Sequence, residues 1–235
     1  MITLALEGKK MVADGDSITE GYLATAGLRW SSLLASERNG VEENFGIGGA
    51  GMQQAITTLG CGRAAFNLSR VPTKTSAYKY YFLAYGTNDL IVNRPGLLSV
   101  SAYQTELTAA VEGIKAKGWG AGDIVIVSGY YFPNLSAAVG ECGVTVAPTR
   151  SMAESYRQAA ISVAKAKNTV LADVYGAMQF APNLNSLFAD GLHPNNSGHR
   201  FIASYLEALD YTPQTSVVVT PTPASYAVDG EFVII

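Results

Sequence analysis

Four clusters of polar or glycine residues in this sequence each follow a run with β-strand character. They are Asp14-Gly15-Asp16-Ser17, Gly46-Ile47-Gly48-Gly49-Ala50-Gly51, Gly86-Thr87-Asn88-Asp89 and Tyr130-Tyr131-Phe132. A fifth, Asp190-Gly191-Leu192-His193-Pro194, precedes the last helical stretch. A serine hydroxyl is a poor nucleophile at neutral pH; it needs an adjacent base, and the base needs a group that orients it. Hydroxyl, imidazole and carboxylate all occur in these clusters. Ligands of an open parallel sheet bind outside the carboxyl ends of its strands, so clusters at strand ends converge on one edge. The glycine run fits GxGxxG, but it follows the second strand and no acidic residue ends a strand about twenty residues later, which argues against a dinucleotide.

The elements that must position these clusters alternate. Residues 10–13 read as a short apolar strand, 41–45 as a second, 78–85 as an aromatic third, 123–127 as an apolar fourth and 169–174 as a fifth. Between and after them, residues 28–38, 101–117, 151–167 and 196–209 carry helical apolar spacing. Five strands separated by helices predict an α/β fold, one doubly wound five-stranded parallel sheet with right-handed crossovers. Residues 212–235 differ: 216–220 and 224–235 are β-rich, with Pro221 and Pro223 between them and a hairpin turn at Asp229-Gly230. The reading is thus a main domain over 1–211 and a C-terminal β extension over 212–235. The hairpin docks on its own domain or on a neighbouring copy, and the second case makes an oligomer.

Composition narrows the function classes. The 48% hydrophobic content excludes a disordered chain, and a chain of 235 residues buries enough surface to fold without a metal or disulfide staple. Charged residues are 15%, below the roughly 25% of an average soluble protein. The net charge of −3 gives no nucleic-acid-binding field. No apolar run approaches the ~18 residues of a membrane span, so no membrane partner is expected. The first ten residues place their charges after a short apolar patch, the reverse of a signal peptide. Low charge with abundant Ser, Thr, Asn, Gly and Ala suits an extracellular or virion-borne protein. Cys61 and Cys142 form one disulfide or remain two thiols, and with two histidines in the chain a zinc site is not expected.

The clusters, taken in order, resemble the blocks of the GDSL or SGNH hydrolase family. Gly15-Asp16-Ser17-Ile18 is similar to its first block, Asn44-Phe45-Gly46-Ile47-Gly48-Gly49 to its second, Gly86-Thr87-Asn88-Asp89 to its third and Asp190-Gly191-Leu192-His193-Pro194 to its last. The resemblance spans residues 10 to about 210 and implies a flavodoxin-like three-layer sandwich. It implies Ser17 as nucleophile, His193 as general base and Asp190 as the residue that holds the imidazole. The N–H groups of Ser17 and Gly49 and the side-chain amide of Asn88 would form the oxyanion hole, with Gly48 as the alternative to Gly49. No metal and no organic cofactor are implied.

Plainer readings stand beside these. Ser17 is also a fit for a helix N-cap, His193 for a surface loop residue, Asn88 for a turn and Asp89 for a helix cap or a support of its block. Asp16 reads as a brace of the serine loop through backbone amides, and His199 as a surface or packing residue of the last helix. Val12-Ala13-Asp14-Gly15-Asp16-Ser17-Ile18 also resembles the first motif of haloacid-dehalogenase phosphatases, which implies Asp14 as nucleophile and Mg²⁺ as cofactor. A third reading is a non-catalytic recognition module of a virion or surface fibre.

The family acts on esters and thioesters. Tyr130 and Tyr131 follow the fourth strand and lead into the segment 133–149, which carries Asn134, Ser136 and Glu141. Flat aromatics with polar neighbours suit sugar faces as well as core packing. No long apolar lid segment is evident. The favoured substrate is a small-acyl ester, an O-acetyl group on a carbohydrate, with a short-chain lipase or thioesterase of the same family as the alternative.

Overall fold

The computed structural model describes residues 2–59, 64–92, 98–139 and 144–214 and two short strands, Ser225–Val228 and Glu231–Ile234. Cys61, Cys142, Glu141 and the expected strand over 216–220 lie outside the described residues.

Five strands form one parallel sheet: β1 (Lys10–Gly15), β2 (Val41–Asn44), β3 (Tyr78–Ala84), β4 (Ile124–Val127) and β5 (Val170–Ala172). Their spatial order is β2-β1-β3-β4-β5, the flavodoxin-like order of doubly wound sheets. The sheet is the one expected from the alternation of strand and helix patterns. The fifth strand is shorter than expected, because Asp173 caps a new helix, α6 (Val174–Met178), by accepting the N–H of Gly176. The two C-terminal strands, β6 (Ser225–Val228) and β7 (Glu231–Ile234), pair antiparallel in a separate sheet, as a hairpin requires.

Strand alternation sends side chains to two cores. Met11 and Ala13 of β1, Tyr80 and Phe82 of β3 and Val125 of β4 face one side, where they meet Trp30 and Leu34 of α2 (Trp30–Glu37) and Phe201 and Ile202 of α7 (Asn196–Ala208). Val12, Tyr81, Leu83 and Ile126 face the other side. There they meet Leu107, Val111 and Ile114 of α4 (Val100–Ala116) and Ala160 and Val163 of α5 (Arg150–Lys167). With both faces covered, β4 is buried along its whole length, which is why its sequence is a continuous apolar run. The helices start where side-chain caps allow: Ser99 accepts the N–H of Ala102, Thr149 that of Met152, and Asn195 those of Ser197 and Gly198. Each such cap contributes about 1 kcal/mol.

Candidate active site

The carboxyl ends of β1, β2 and β3 bring three clusters together, and the segment before α7 brings the fourth. β1 runs into the four-residue helix α1 (Ser17–Glu20) with only Asp16 between them. The turn requires glycine at position 15, because a Cβ there would lie 2.4 Å from the Ala84 carbonyl oxygen. Asp16, not Ser17, is the N-cap: its Oδ1 accepts the N–H of Ile18 at 2.9 Å. The N-cap reading of Ser17 is therefore corrected, and Asp16 braces the serine loop through a backbone amide as expected. Ser17 occupies the first helical position and is 8% exposed.

Ser17 Oγ lies 3.1 Å from His193 Nε2, and His193 Nδ1 lies 2.8 Å from Asp190 Oδ2. The segment carrying these last two is tightly pinned. Ala189 donates its N–H to the His193 carbonyl, Phe188 pairs with Pro194, and Gly191 turns the chain at a φ of 86°. Asp190 Oδ1 also accepts the N–H groups of Leu192 and His193, at 2.9 and 2.6 Å. Partial burial works against its ionised form, but the N–H of His193, the imidazole and the N–H of Leu192 outweigh it and hold the carboxyl below its ordinary range. His193 is thus no free surface histidine, since both ring nitrogens have partners.

The glycine loop after β2 is held from two directions. Asn44 accepts the N–H of Gly46 at 2.9 Å and donates to the Thr19 carbonyl at 2.6 Å, tying the loop to α1. Asp89 lies on α3 (Thr87–Ile91), is fully buried, and accepts the N–H groups of Met52 and Gln53, each at 2.8 Å. Beyond bonding its own backbone N–H in the first turn of α3, it anchors the neighbouring block. Gly49 takes a φ of 77°, and the N–H groups of Ser17, Gly48 and Gly49 find no acceptor among the described residues. Asn88, one residue into α3 rather than in a turn, donates one amide hydrogen to the Ala50 carbonyl at 2.8 Å, which leaves the second.

Other expected residues lie elsewhere. Asp14 is fully buried, and its oxygens accept the hydroxyls of Tyr81 and Tyr85 at 2.6 and 2.7 Å and Arg70 Nη2 at 2.8 Å. A carboxylate occupied by three donors in the core is not a phosphate-accepting nucleophile, and the Asp14 reading falls. Tyr130 is 3% exposed within the α2/α7-side core, so its ring has no face for a substrate, and the expectation for it is corrected. Tyr131 is only partly buried, packs edge-on against Tyr175 and stacks under the Arg150 guanidinium at 4.0 Å. With Arg150, Asn183 and Asn185 it lines a cleft of about 590 Å³. His199 is fully buried, and its Nδ1 accepts the N–H of Trp30 at 3.2 Å, so it is a packing residue. No group of three or more His, Cys, Asp or Glu among the described residues is placed to hold a metal, and none of the helices there is long and apolar enough to cross a membrane.

Two residues beside the serine went unnoticed in the sequence. Glu20 closes α1, and Tyr22 follows it; the Tyr22 ring meets the His193 ring edge-on, centroids 4.8 Å apart, while remaining 53% exposed. Their one sequence signal is that they directly follow the serine block.

The solved structures that resemble this chain share its fold at low identity. A lipase/acylhydrolase from Enterococcus faecalis is 20% identical, with 84% of this chain and 93% of that one covered and a TM-score of 0.63. A member of the lipolytic G-D-S-L family from Veillonella parvula is 22% identical, with 84% and 95% covered and a TM-score of 0.60. The psychrotrophic esterase EstA from Pseudoalteromonas is 18% identical, with 84% and 94% covered and a TM-score of 0.57. No curated protein sequence matches significantly. The sequence profile of the GDSL-like lipase/acylhydrolase family, however, matches residues 13–201, a span that runs from the serine turn into the last helix. By that match the chain belongs to the GDSL-like lipase/acylhydrolase family and is an ester hydrolase.

Proposed function

We propose that the chain is a serine esterase that works through an acyl-enzyme, with Ser17 as nucleophile, His193 as general base and Asp190 as its orienter. The carrying observation is the unbroken line from Asp190 Oδ2 through both ring nitrogens of His193 to Ser17 Oγ, with steps of 2.8 and 3.1 Å. In this reading His193 donates Nδ1–H to Asp190, which leaves Nε2 free to accept the Ser17 proton. Ser17 Oγ attacks the ester carbonyl carbon as that proton passes to Nε2. The N–H groups of Ser17 and Gly49 and the free amide hydrogen of Asn88 donate to the oxyanion. Collapse expels the alcohol, which takes the proton back from His193. Water then attacks the acyl-enzyme, again giving a proton to Nε2, and the acid leaves as Ser17 Oγ recovers it.

The substrate we favour is a small-acyl ester, an O-acetyl group on a carbohydrate. The polar cleft lined by Tyr131, Arg150, Asn183 and Asn185 supports it, since amide and guanidinium groups around an aromatic ring suit further sugar units of a carbohydrate chain better than a long acyl chain.

EstA is described as inhibited by monoethylphosphonate, which suggests the test. A fluorophosphonate should add once per chain, with the phosphorus–oxygen bond forming at Ser17 Oγ as fluoride leaves. Peptide mapping should find the adduct on Ser17, and Ser17→Ala should take up none. An active protein that is not labelled, or is labelled elsewhere without loss of activity, overturns the assignment.

A further inference from the structure

We propose that Glu20 and Tyr22 form the subsite for the alcohol half of the ester, and that this subsite selects an uncharged, hydroxyl-rich ring over an anionic one. The inference rests on the serine esterase reading above and adds to it which residues meet the alcohol.

A Cβ built on Gly48 would stand 2.9 Å from Glu20 Oε2 and 3.9 Å from Ser17 Cβ. The carboxylate therefore lies over Gly48, on the side of the glycine loop that faces Ser17. It is exposed, and no cation among the described residues pairs with it. The nearby Arg29 is committed elsewhere: its Nε and Nη2 grip Glu42, and its Nη1 goes to the Glu20 backbone oxygen. An unpaired negative charge so close to a developing oxyanion opposes the chemical step. What a free carboxylate does well is accept hydrogen bonds from two neighbouring hydroxyls at once.

Tyr22 supplies the complementary surface. Its N–H and that of Gly21 both donate to the Ser17 carbonyl, at 2.9 and 3.0 Å, so its position is locked to that of the nucleophile. The loop beyond is pinned in turn, because Thr25 exchanges hydrogen bonds with Asn196. The ring stands at 70° to the imidazole, and half of its surface is open. An open aromatic face fits the C–H face of a sugar ring, while the carboxylate takes hydroxyls at the rim. An alcohol carrying its own carboxylate meets Glu20 as a like charge.

The test compares acetate release from three probes: ethyl acetate, a monoacetylated methyl glucoside, and its glucuronoside counterpart. Glu20→Gln should lower kcat/KM on the glucoside, relative to ethyl acetate, by about tenfold or more, mostly through KM. The same change should raise the glucuronoside relative to the glucoside, by roughly 3–10-fold at low salt and less at high salt. Tyr22→Ala should lower the glucoside ratio, and Tyr22→Phe, which keeps the ring, should restore it. Variants that hydrolyse all three esters in the wild-type proportions overturn the subsite while leaving the serine esterase standing. A wild type that hydrolyses none of the three overturns both.

Discussion

Asp89 Oδ1 accepts the backbone N–H of Gln53 at 2.8 Å, across 36 residues of sequence. Its other oxygen holds Met52, so one buried carboxylate fixes the strand-end loop that carries Gly48 and Gly49. Replacing it with alanine strands two buried N–H groups. Asp89→Ala should lower unfolding stability by about 2–5 kcal/mol in urea titrations. A loss under about 1 kcal/mol contradicts the anchoring role.

Asn88 sits one residue earlier and has a different task. Asn88→Ala removes the proposed oxyanion donor together with the bond to the Ala50 carbonyl. Turnover should fall by about 10²–10³, with a stability loss near 1 kcal/mol. Steady-state kinetics on p-nitrophenyl acetate decide it, and a kcat within threefold of wild type removes Asn88 from the oxyanion hole.

Gly46 packs against the start of the site. A Cβ there would fall 2.2 Å from the Glu20 backbone nitrogen, which has no room to yield without moving α1. Gly46→Ala should destabilise the fold by several kcal/mol and reduce kcat, because Ser17 moves with its helix. Wild-type kcat in this variant shows that α1 tolerates the shift.

Two buried groups near the site make stability depend on pH in opposite directions. Burial pushes His199 down to about 4 from 6.5, so the unfolded chain takes up the proton first. Its contribution is complete above about pH 6.5 and lost as pH falls towards 4, a span of ~3 kcal/mol. Asn at 199 keeps an acceptor for the Trp30 N–H but cannot titrate. The stability difference between wild type and His199→Asn should therefore shrink by about that amount between pH 7 and 4. A pH-independent difference contradicts it.

Burial raises Asp16 to about 6 from 3.8 despite the N–H of Ile18, so its stabilising contribution is present below about pH 4 and lost as pH rises through 6. Asp16→Asn keeps the cap acceptor and removes the buried charge. The variant should gain up to ~3 kcal/mol over wild type above pH 6, with the gap closing towards pH 4. Equal stability of the two proteins at pH 8 contradicts it.

The sheet and the polar clusters were legible because strand ends in a doubly wound fold are punctuated by glycine and small polar residues, as at Gly15-Asp16-Ser17. Facing was not. Tyr130 and Tyr131 are neighbours of one type, yet a single step of chain buries one and half-opens the other. Asp14 and Asp16 look like a pair, but Asp14 belongs to a strand and turns into the core, while Asp16 caps a helix. The role of Asp89 depends on a contact between the short helix α3 and the glycine loop's far end, which no local pattern encodes. Glu20 and Tyr22 look like ordinary surface residues until the glycine loop and His193 are folded against them.

The most direct test of the Ser17–His193 pair is hydrolysis of p-nitrophenyl acetate by the wild type, Ser17→Ala and His193→Ala, with folding checked by circular dichroism. The wild type should hydrolyse it, and each folded variant should lose about 10⁴–10⁶ in turnover. Near-wild-type turnover in either folded variant contradicts the roles proposed for the pair.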